Sequence, residues 1–231
     1  MARLTALREE VLAANLALPA HDLVTLTWGN ASAIDRETGL VAIKPSGVAY
    51  ADMTAEDLVL VDLDGAVVEG ALRPSTDTPT HLALYRAFDA IGSIVHSHSR
   101  WATVWAQAQR EIPLFGTTHA DLSPHPIPIT RALTAAEVDA DYEGATGTVL
   151  IEAVGARGPA EIPCVLVRGH GPFCWGTTAA AAVENAITLE EVARMALFTT
   201  LLDANAPLLD EAVRAKHFTR KHGPHAYYGQ P

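Results

Sequence analysis

The sequence predicts an α+β fold: a single layered α/β/α domain over residues 1–231, with a central, largely antiparallel β-sheet flanked by helices. Three observations predict it. Short apolar runs of strand-like composition are joined by tight turns, which favours antiparallel neighbours. Helical runs with apolar residues three and four apart are interspersed among them. No Gly-x-Gly-x-x-Gly follows a strand and no Walker-type loop occurs, so neither a doubly wound nucleotide-binding sheet nor a nucleotide cofactor is indicated.

The elements follow in order. Leu4, Leu7, Val11, Ala14 and Leu18 recur at helical spacing, with Pro19 as the expected stop. "LVTLTW" (23–28) and "LVAIK" (40–44) read as strands. "LVLVDL" and "AVVEG" flank Asp64-Gly65, a hairpin signal. Thr78 and Pro79 look like an N-cap and first helical position. "SIVHSH" reads as a strand, with Ser99 capping the next helix. Thr134 and Glu137 match a capping box. "GTVLIEAV" and "PCVLVRG" read as late strands, and a long helix is expected from about Thr178 into "TTLLDA".

Composition narrows the class. A chain of 231 residues, 49% of them apolar, can bury a sizeable core, and no linker, repeat or charge run divides it. No apolar segment is long enough to span a membrane, and the N-terminus lacks the apolar block of a signal peptide. Cys164 and Cys174 do not form a Cys-x-x-Cys pair; this sparse usage suggests a reducing compartment, so a cytoplasmic protein is expected. The formal net charge of −11 argues against nucleic acid as a partner but leaves room for a small anionic substrate at a locally cationic site. Lysine occurs only at 44, 216 and 221.

The chemistry starts from the ten histidines. Residues two apart in a strand face the same way, so His96 and His98 project together while Ser97 points to the other face. Both imidazoles can reach one metal ion, or they are two half-buried polar positions at a strand end. A zinc site needs a third ligand, and a catalytic one keeps a position open. His170, between Gly169 and Gly171, is either that ligand or an incidental histidine in a glycine-rich turn. Asp77 is a fourth candidate, although a carboxylate at a helix start is also stabilised by the helix dipole alone.

Three loops carry phosphate-binding chemistry: "TWGNAS" (27–32), "IKPSGVAY" (43–50) and "PSTDT" (74–78). Gly-rich turns expose N–H groups, hydroxyls and a helix N-terminus add donors, and Lys44 would add a charge; each alone also reads as an ordinary turn. Asp121 in "GTTHAD" and Glu143 in "DYEGATG" are acid/base candidates. The tail "KHFTRKHGPHAYYGQP" is either a frayed end or an ordered segment over an active site; its paired tyrosines favour order.

"NLALPAHDLVTLTWGNASAIDRETG", "IKPSGVAY", "STDTPTH", "IVHSHSRWATVWAQA", "GTTHAD", "GHGPFCWG" and "RKHGPHAYYGQ" together resemble the zinc-dependent class II aldolase family, in its L-ribulose-5-phosphate 4-epimerase branch. The match runs in order over nearly the whole chain. "GTTHAD" and the tail motif distinguish the branch, whereas His-x-His and His-Gly-Pro belong to the wider family. The resemblance implies Zn2+ (or another divalent metal) held by His96, His98 and His170, with Asp77 as a further ligand. It implies a sugar-phosphate substrate bound by Gly29, Asn30, Ser46, Gly47, Ser75 and Thr76, with Lys44 close by. It implies Asp121 and Tyr228 as the acid/base pair, Tyr228 coming from a neighbouring subunit. Thr117, Glu143 and His217 are implied accessory positions, and residues 215–231 an active-site tail. The implied assembly is a homotetramer with sites at subunit interfaces. The implied reaction interconverts L-ribulose 5-phosphate and D-xylulose 5-phosphate through cleavage and re-formation of the C3–C4 bond. A class II sugar-phosphate aldolase and a non-catalytic zinc-stabilised domain are the alternatives. Two departures stand out: Arg168-Gly169 precede His170 where relatives carry His-Ser, and Thr76 stands where they carry Ser.

Overall fold

The computed structural model describes residues 2–229; positions 1, 230 and 231, the last two of them in the expected tail, lie outside the described residues. One seven-stranded sheet forms the centre: β1 (Gly29–Asp35), β2 (Leu40–Ile43), β3 (Val59–Val61), β4 (Val67–Glu69), β5 (Ser93–Ser97), β6 (Cys164–Leu166) and β7 (Pro172–Gly176). The order is β4-β3-β2-β1-β5-β7-β6, and every neighbouring pair is antiparallel. Helices are α1 (Ala2–Ala20), α2 (Thr78–Ala87), α3 (Arg100–Gln107), α4 (Thr117–Leu122), α5 (Ala135–Val154), α6 (Ala179–Leu202) and α7 (Glu211–Lys221). No helix among the described residues is long and apolar enough to cross a membrane.

The pleat divides the strands between two cores. Ala31, Ala42, Leu60, Val95 and Cys174 face α1, α3 and α6. Ile34, Val41, Val59, Val61, Ile94, Phe173 and Trp175 face α2 and α5. Helices therefore cover both faces, as the layered expectation requires. Cys164 and Cys174 are register partners across β6 and β7, both buried and free.

Four local expectations are corrected. Residues 23–28 are not a strand: Asp22 and Leu26 take positive φ, Leu23 closes the end of α1 onto Leu18 O, and Trp28 turns back to Thr25 O. The apolar residues there cap a helix and a turn, and pairing begins only at Gly29. Residues 147–154 are helix, not strand, because Gly147, Leu150 and Val154 share a helical face against the sheet and α2. A Cβ at Gly147 would lie 2.5 Å from Ala83 Cβ, so the glycine sets how closely α2 and α5 pack. Pro19 lies inside α1, which ends one residue later at Ala20. Asp77, one residue before Thr78, is the N-cap of α2.

Other expectations hold. Thr134 and Glu137 form the capping box of α5, and Thr178 caps α6. Ser99 is the N-cap position of α3, but its side chain makes no capping bond. Glu190 of α6 instead accepts from Trp101 N and Ala102 N at 2.8 and 3.0 Å, a cap supplied by tertiary packing. Asn15, fully buried in α1, donates to Ala31 O and accepts from Ala31 N, which pins that helix to β1.

Candidate functional site: a histidine cluster at one sheet end and a carboxylate anchor at the other

Three strands converge on one end of the sheet. β1 begins at Gly29 opposite Ser97, β5 ends there, and β7 begins at Pro172 just after His170. Two glycines make the approach possible. A Cβ on Gly29, whose φ is +107°, would lie 2.7 Å from His96 O, and one on Gly171 would lie 2.6 Å from Ser97 O. Any side chain at either position would push the neighbouring loops off β5.

His96, His98 and His170 meet here, with one ring nitrogen from each within 4.8 Å of the others. His98 Nε2 and His170 Nε2 are 3.1 Å apart, and the three ring centroids are 4.8–5.1 Å from one another. His96 stacks on Phe173 at 4.1 Å and points its Nδ1 at Pro172 O, 3.0 Å away. A carbonyl only accepts, so that nitrogen carries a proton, and Nε2 is the one left for a metal. Burial, then the neighbouring rings of His96 and His98, push His170 down to about 4; burial and His96 lower His98 as well. Neutral imidazoles with converging lone pairs are the donor set that a divalent transition metal uses. The residues fit such an ion.

Asp77 extends the cluster. Asn30 Nδ2 donates to Asp77 Oδ2 at 2.6 Å and to Ser75 Oγ at 3.0 Å. Burial pushes the Asp77 carboxyl up, but His96, His81 and the Asn30 amide together outweigh it and hold the carboxyl below its ordinary value. Asp77 is therefore both a helix N-cap residue and an ionised group beside the histidines. Beneath it, fully buried His81 contacts Ser32 Oγ at 2.7 Å, and Ser32 contacts Tyr85 Oη at 2.7 Å.

The phosphate-loop candidates lie at the same end. β2 leads into Lys44 and the exposed pair Ser46 and Gly47; Ser75 is buried and Thr76 exposed just before α2. The loops are tied to each other: Ser46 N donates to Arg73 O and Ser75 N to Lys44 O. Lys44 itself is only 2% exposed, and its Nζ donates to Val48 O at 2.7 Å and Pro45 O at 3.2 Å. It braces the 45–48 turn from within, over the Tyr50 ring, and burial lowers its pKa.

Asp121 and Tyr228 are elsewhere. They line a cleft of about 670 Å³ with Thr118, Gly176, Lys221 and His222. Gly176 ends β7, whose first residue adjoins the histidines, and four residues of strand span about 13 Å. Within one chain the pair is thus at the opposite end of the sheet from the cluster. Asp121 is heavily engaged: Arg220 donates to both its oxygens at 3.0 and 2.6 Å, and His217 Nδ1 lies 3.0 Å from Oδ1. Burial pushes this carboxyl up, and the Arg220 and His217 bonds and charges outweigh it, so the net shift is downward. His222 Nε2 donates to Asp121 O, while Tyr227 N and Tyr228 N donate to Arg220 O. Tyr228 lies under Arg220 and Lys221 and is 61% exposed. Through these bonds the described residues of the tail, as far as 229, lie against α4. Thr117 opens α4 beside this cleft, and Glu143 sits in α5, where its backbone carbonyl accepts from Thr80.

Two residues near the histidines escaped the sequence reading. Trp28, 53% exposed, has its ring 6.4 Å from His98. Tyr142 Oη is 3.4 Å from His170 Nδ1. Burial, with the charges of Asp77 and Glu143, raises its phenol above the ordinary value. The "DYEGATG" segment held the signal, but a tyrosine beside a glutamate drew no separate notice. Arg168 turns its guanidinium to Gln109 rather than to His170.

Residues 9–197 match the family described as class II aldolase and adducin N-terminal domain. The chain is 54% identical over 224 residues to the L-ribulose-5-phosphate 4-epimerases UlaF of Salmonella paratyphi A and Salmonella typhi, covering 97% of this chain and 98% of each relative. Among solved structures, an L-fuculose 1-phosphate aldolase superposes with a TM-score of 0.78 at 23% identity, covering 93% of this chain and 95% of that one, a likeness of fold alone. The aldolase of that name from Thermus thermophilus gives a TM-score of 0.66 at 27% identity over 90% of this chain and 100% of its own. The chain belongs to the class II aldolase and adducin N-terminal domain family and, within it, groups with the L-ribulose-5-phosphate 4-epimerases.

Proposed function

We propose that the protein is an isomerase of the cytoplasm, an L-ribulose-5-phosphate 4-epimerase, that interconverts L-ribulose 5-phosphate and D-xylulose 5-phosphate with a divalent metal, Zn2+ in the first instance. The observation that carries the reading is the convergence of three imidazoles on one point beside the Asn30–Asp77 pair. Identity of 54% to epimerases over nearly the full chain supports this choice of substrate.

The carbon inverted, C4, is not next to the carbonyl, so its hydrogen is not acidic and simple proton abstraction cannot epimerise it. Breaking the C3–C4 bond can. Removal of the C4 hydroxyl proton starts a retro-aldol step that leaves glycolaldehyde phosphate and the enediolate of dihydroxyacetone. Rotation of the aldehyde and re-addition on its other face inverts the centre. A cation bound by His96, His98 and His170, with Asp77 as a further ligand or neighbour, supplies Lewis-acid stabilisation of the charge that develops on substrate oxygens.

The remaining tasks fall to side chains and loops. Gly29, Asn30, Ser46, Gly47, Ser75 and Thr76 hold the phosphorylated fragment against escape, and Lys44 stiffens the middle loop from beneath it. Inversion needs proton-transfer groups on two sides of the aldehyde, the roles of Asp121 and Tyr228, with Thr117, Glu143 and His217 as accessory groups. Because that pair lies at the far end of its own sheet, the complete site joins one subunit's histidine cluster to a neighbour's Asp121–tail unit. That is a head-to-tail contact, which closes into a ring, here a homotetramer.

A coupled assay with L-ribulose 5-phosphate, together with metal analysis of the purified protein, tests this. Formation of D-xylulose 5-phosphate is expected. Sustained release of free aldehyde without that product would make the protein an aldolase instead, and no turnover in a protein that chelation unfolds would leave a zinc-stabilised binding domain.

A further inference from the structure

Tyr142 has no role in the reaction as derived so far, yet the fold spends a helix break on placing it. α5 is interrupted at Asp141, whose φ of −165° and ψ of 87° are not helical. Asp141 Oδ1 accepts from Gly144 N at 3.0 Å, so the helix restarts with Asp141 as its cap and Tyr142 as its first residue. The cap leaves little room above it: a Cβ at position 144 would lie 2.0 Å from Asp141 Oδ2, so the capping carboxylate would have to shift. Two hydroxyls fix the new first turn, Thr146 Oγ1 donating to Tyr142 O at 2.8 Å and Thr80 Oγ1 to Glu143 O at 2.7 Å. The outcome is a phenol oxygen 3.4 Å from His170 Nδ1, with the two rings 6.3 Å apart.

His170 needs such a partner. His96 has its Nδ1 fixed by the Pro172 carbonyl. His170 stands on a loop between Gly169 and Gly171, and among the described residues its Nδ1 has Tyr142 Oη alone as a hydrogen-bond partner. The opposite nitrogen, Nε2, is the one turned to His98. A histidine that binds metal through Nε2 carries its proton on Nδ1, and an acceptor there fixes both tautomer and ring orientation.

We propose that Tyr142 is a positioning residue for the metal centre: its phenol oxygen accepts the His170 Nδ1 proton and holds Nε2 on the ion. This rests on the reading of the three histidines as a metal site. The test is zinc affinity, measured by competition with a fluorescent chelator on metal-stripped protein, beside the melting temperature of the metal-free form. Tyr142→Phe keeps the ring and removes the oxygen. It is expected to bind zinc about ten- to a hundredfold more weakly, the range found when such supporting partners are lost, with metal-free melting unchanged. Gly144→Ala, which displaces Asp141 and so the restart, is expected to weaken zinc binding in the same direction. Wild-type affinity in Tyr142→Phe would overturn the proposal while leaving the metal centre standing. A wild-type protein that binds no zinc would overturn the metal centre and this inference with it.

Discussion

At one end of the sheet three histidines sit on strand ends and a glycine-bounded loop, with His96 stacked on Phe173 and bonded to the Pro172 carbonyl. At the other, Asp121 and the tail are held largely by charge: its carboxylate gathers Arg220 and His217, and its backbone carbonyl accepts from His222. The first end is part of the folded core. The second is built on α7, which has no buried residue, and on a tail whose two tyrosines are more than half exposed. The difference teaches where each half of the proposed site draws its precision. The histidines inherit theirs from strand register. The tail rests on partly exposed ion pairs, which solvent screens and which are individually weak, with a few backbone hydrogen bonds and cation–ring contacts beside them; on the proposed reading it reaches its working geometry when a neighbouring subunit covers it.

Changes at the two ends should therefore fail differently, and the largest failure belongs to the histidines. His98→Ala is expected to lose bound metal and turnover together. Lewis-acid stabilisation of several kcal/mol corresponds to about a thousandfold or more in kcat. Metal analysis and a coupled assay check this, and an active metal-free variant would remove the histidines from the chemistry. Tyr228→Phe should act at the other end alone, with kcat lower by about a hundredfold or more, metal content at wild-type level and melting unchanged. Gly29→Ala should cost stability of about 2 kcal/mol, since a side chain there meets both an unfavourable φ and the His96 carbonyl. Thermal unfolding reads that loss, and weakened metal binding should accompany it.

The smallest effect is one of pH on the tail. The Asp121 carboxyl is held below its ordinary value of 3.8, chiefly against the upward push of burial by its bonds to Arg220 and His217. A depressed carboxylate stabilises docking fully above its unfolded value and loses that contribution as pH falls through the folded one. The tail should thus stay docked at neutral pH and release in acid below about 4. Limited proteolysis at the 222–229 segment across pH measures it, and release already between pH 5 and 7 would contradict the sign.

How much of this was legible in the sequence follows the same division. His96-x-His98 and the capping box at Thr134 could be read because strand period and cap chemistry are local. Residues 147–154 could not, since β-branched residues on a helix packed against a sheet look like a buried strand until Gly147 meets Ala83. Residues 23–28 misled because left-handed Asp22 and Leu26 are not glycines. The Glu190 cap on α3 and the Asp141 break in α5 depend on partners that only packing brings together. Lys44 was read as a charge for phosphate, whereas its ammonium spends its hydrogen bonds on its own loop.

The central claim is that one subunit's histidines work with another subunit's Asp121 and Tyr228. Mixing His98→Ala and Tyr228→Phe proteins, after dissociation and reassembly, tests it most directly. Each parent keeps about a hundredth of the wild-type activity or less, but in mixed rings roughly one interface in four joins an intact histidine cluster to an intact tail. The account predicts that activity returns to about a quarter of the wild-type value, in proportion to those interfaces. Mixtures that stay as inactive as their parents, with exchange of subunits demonstrated, would contradict it.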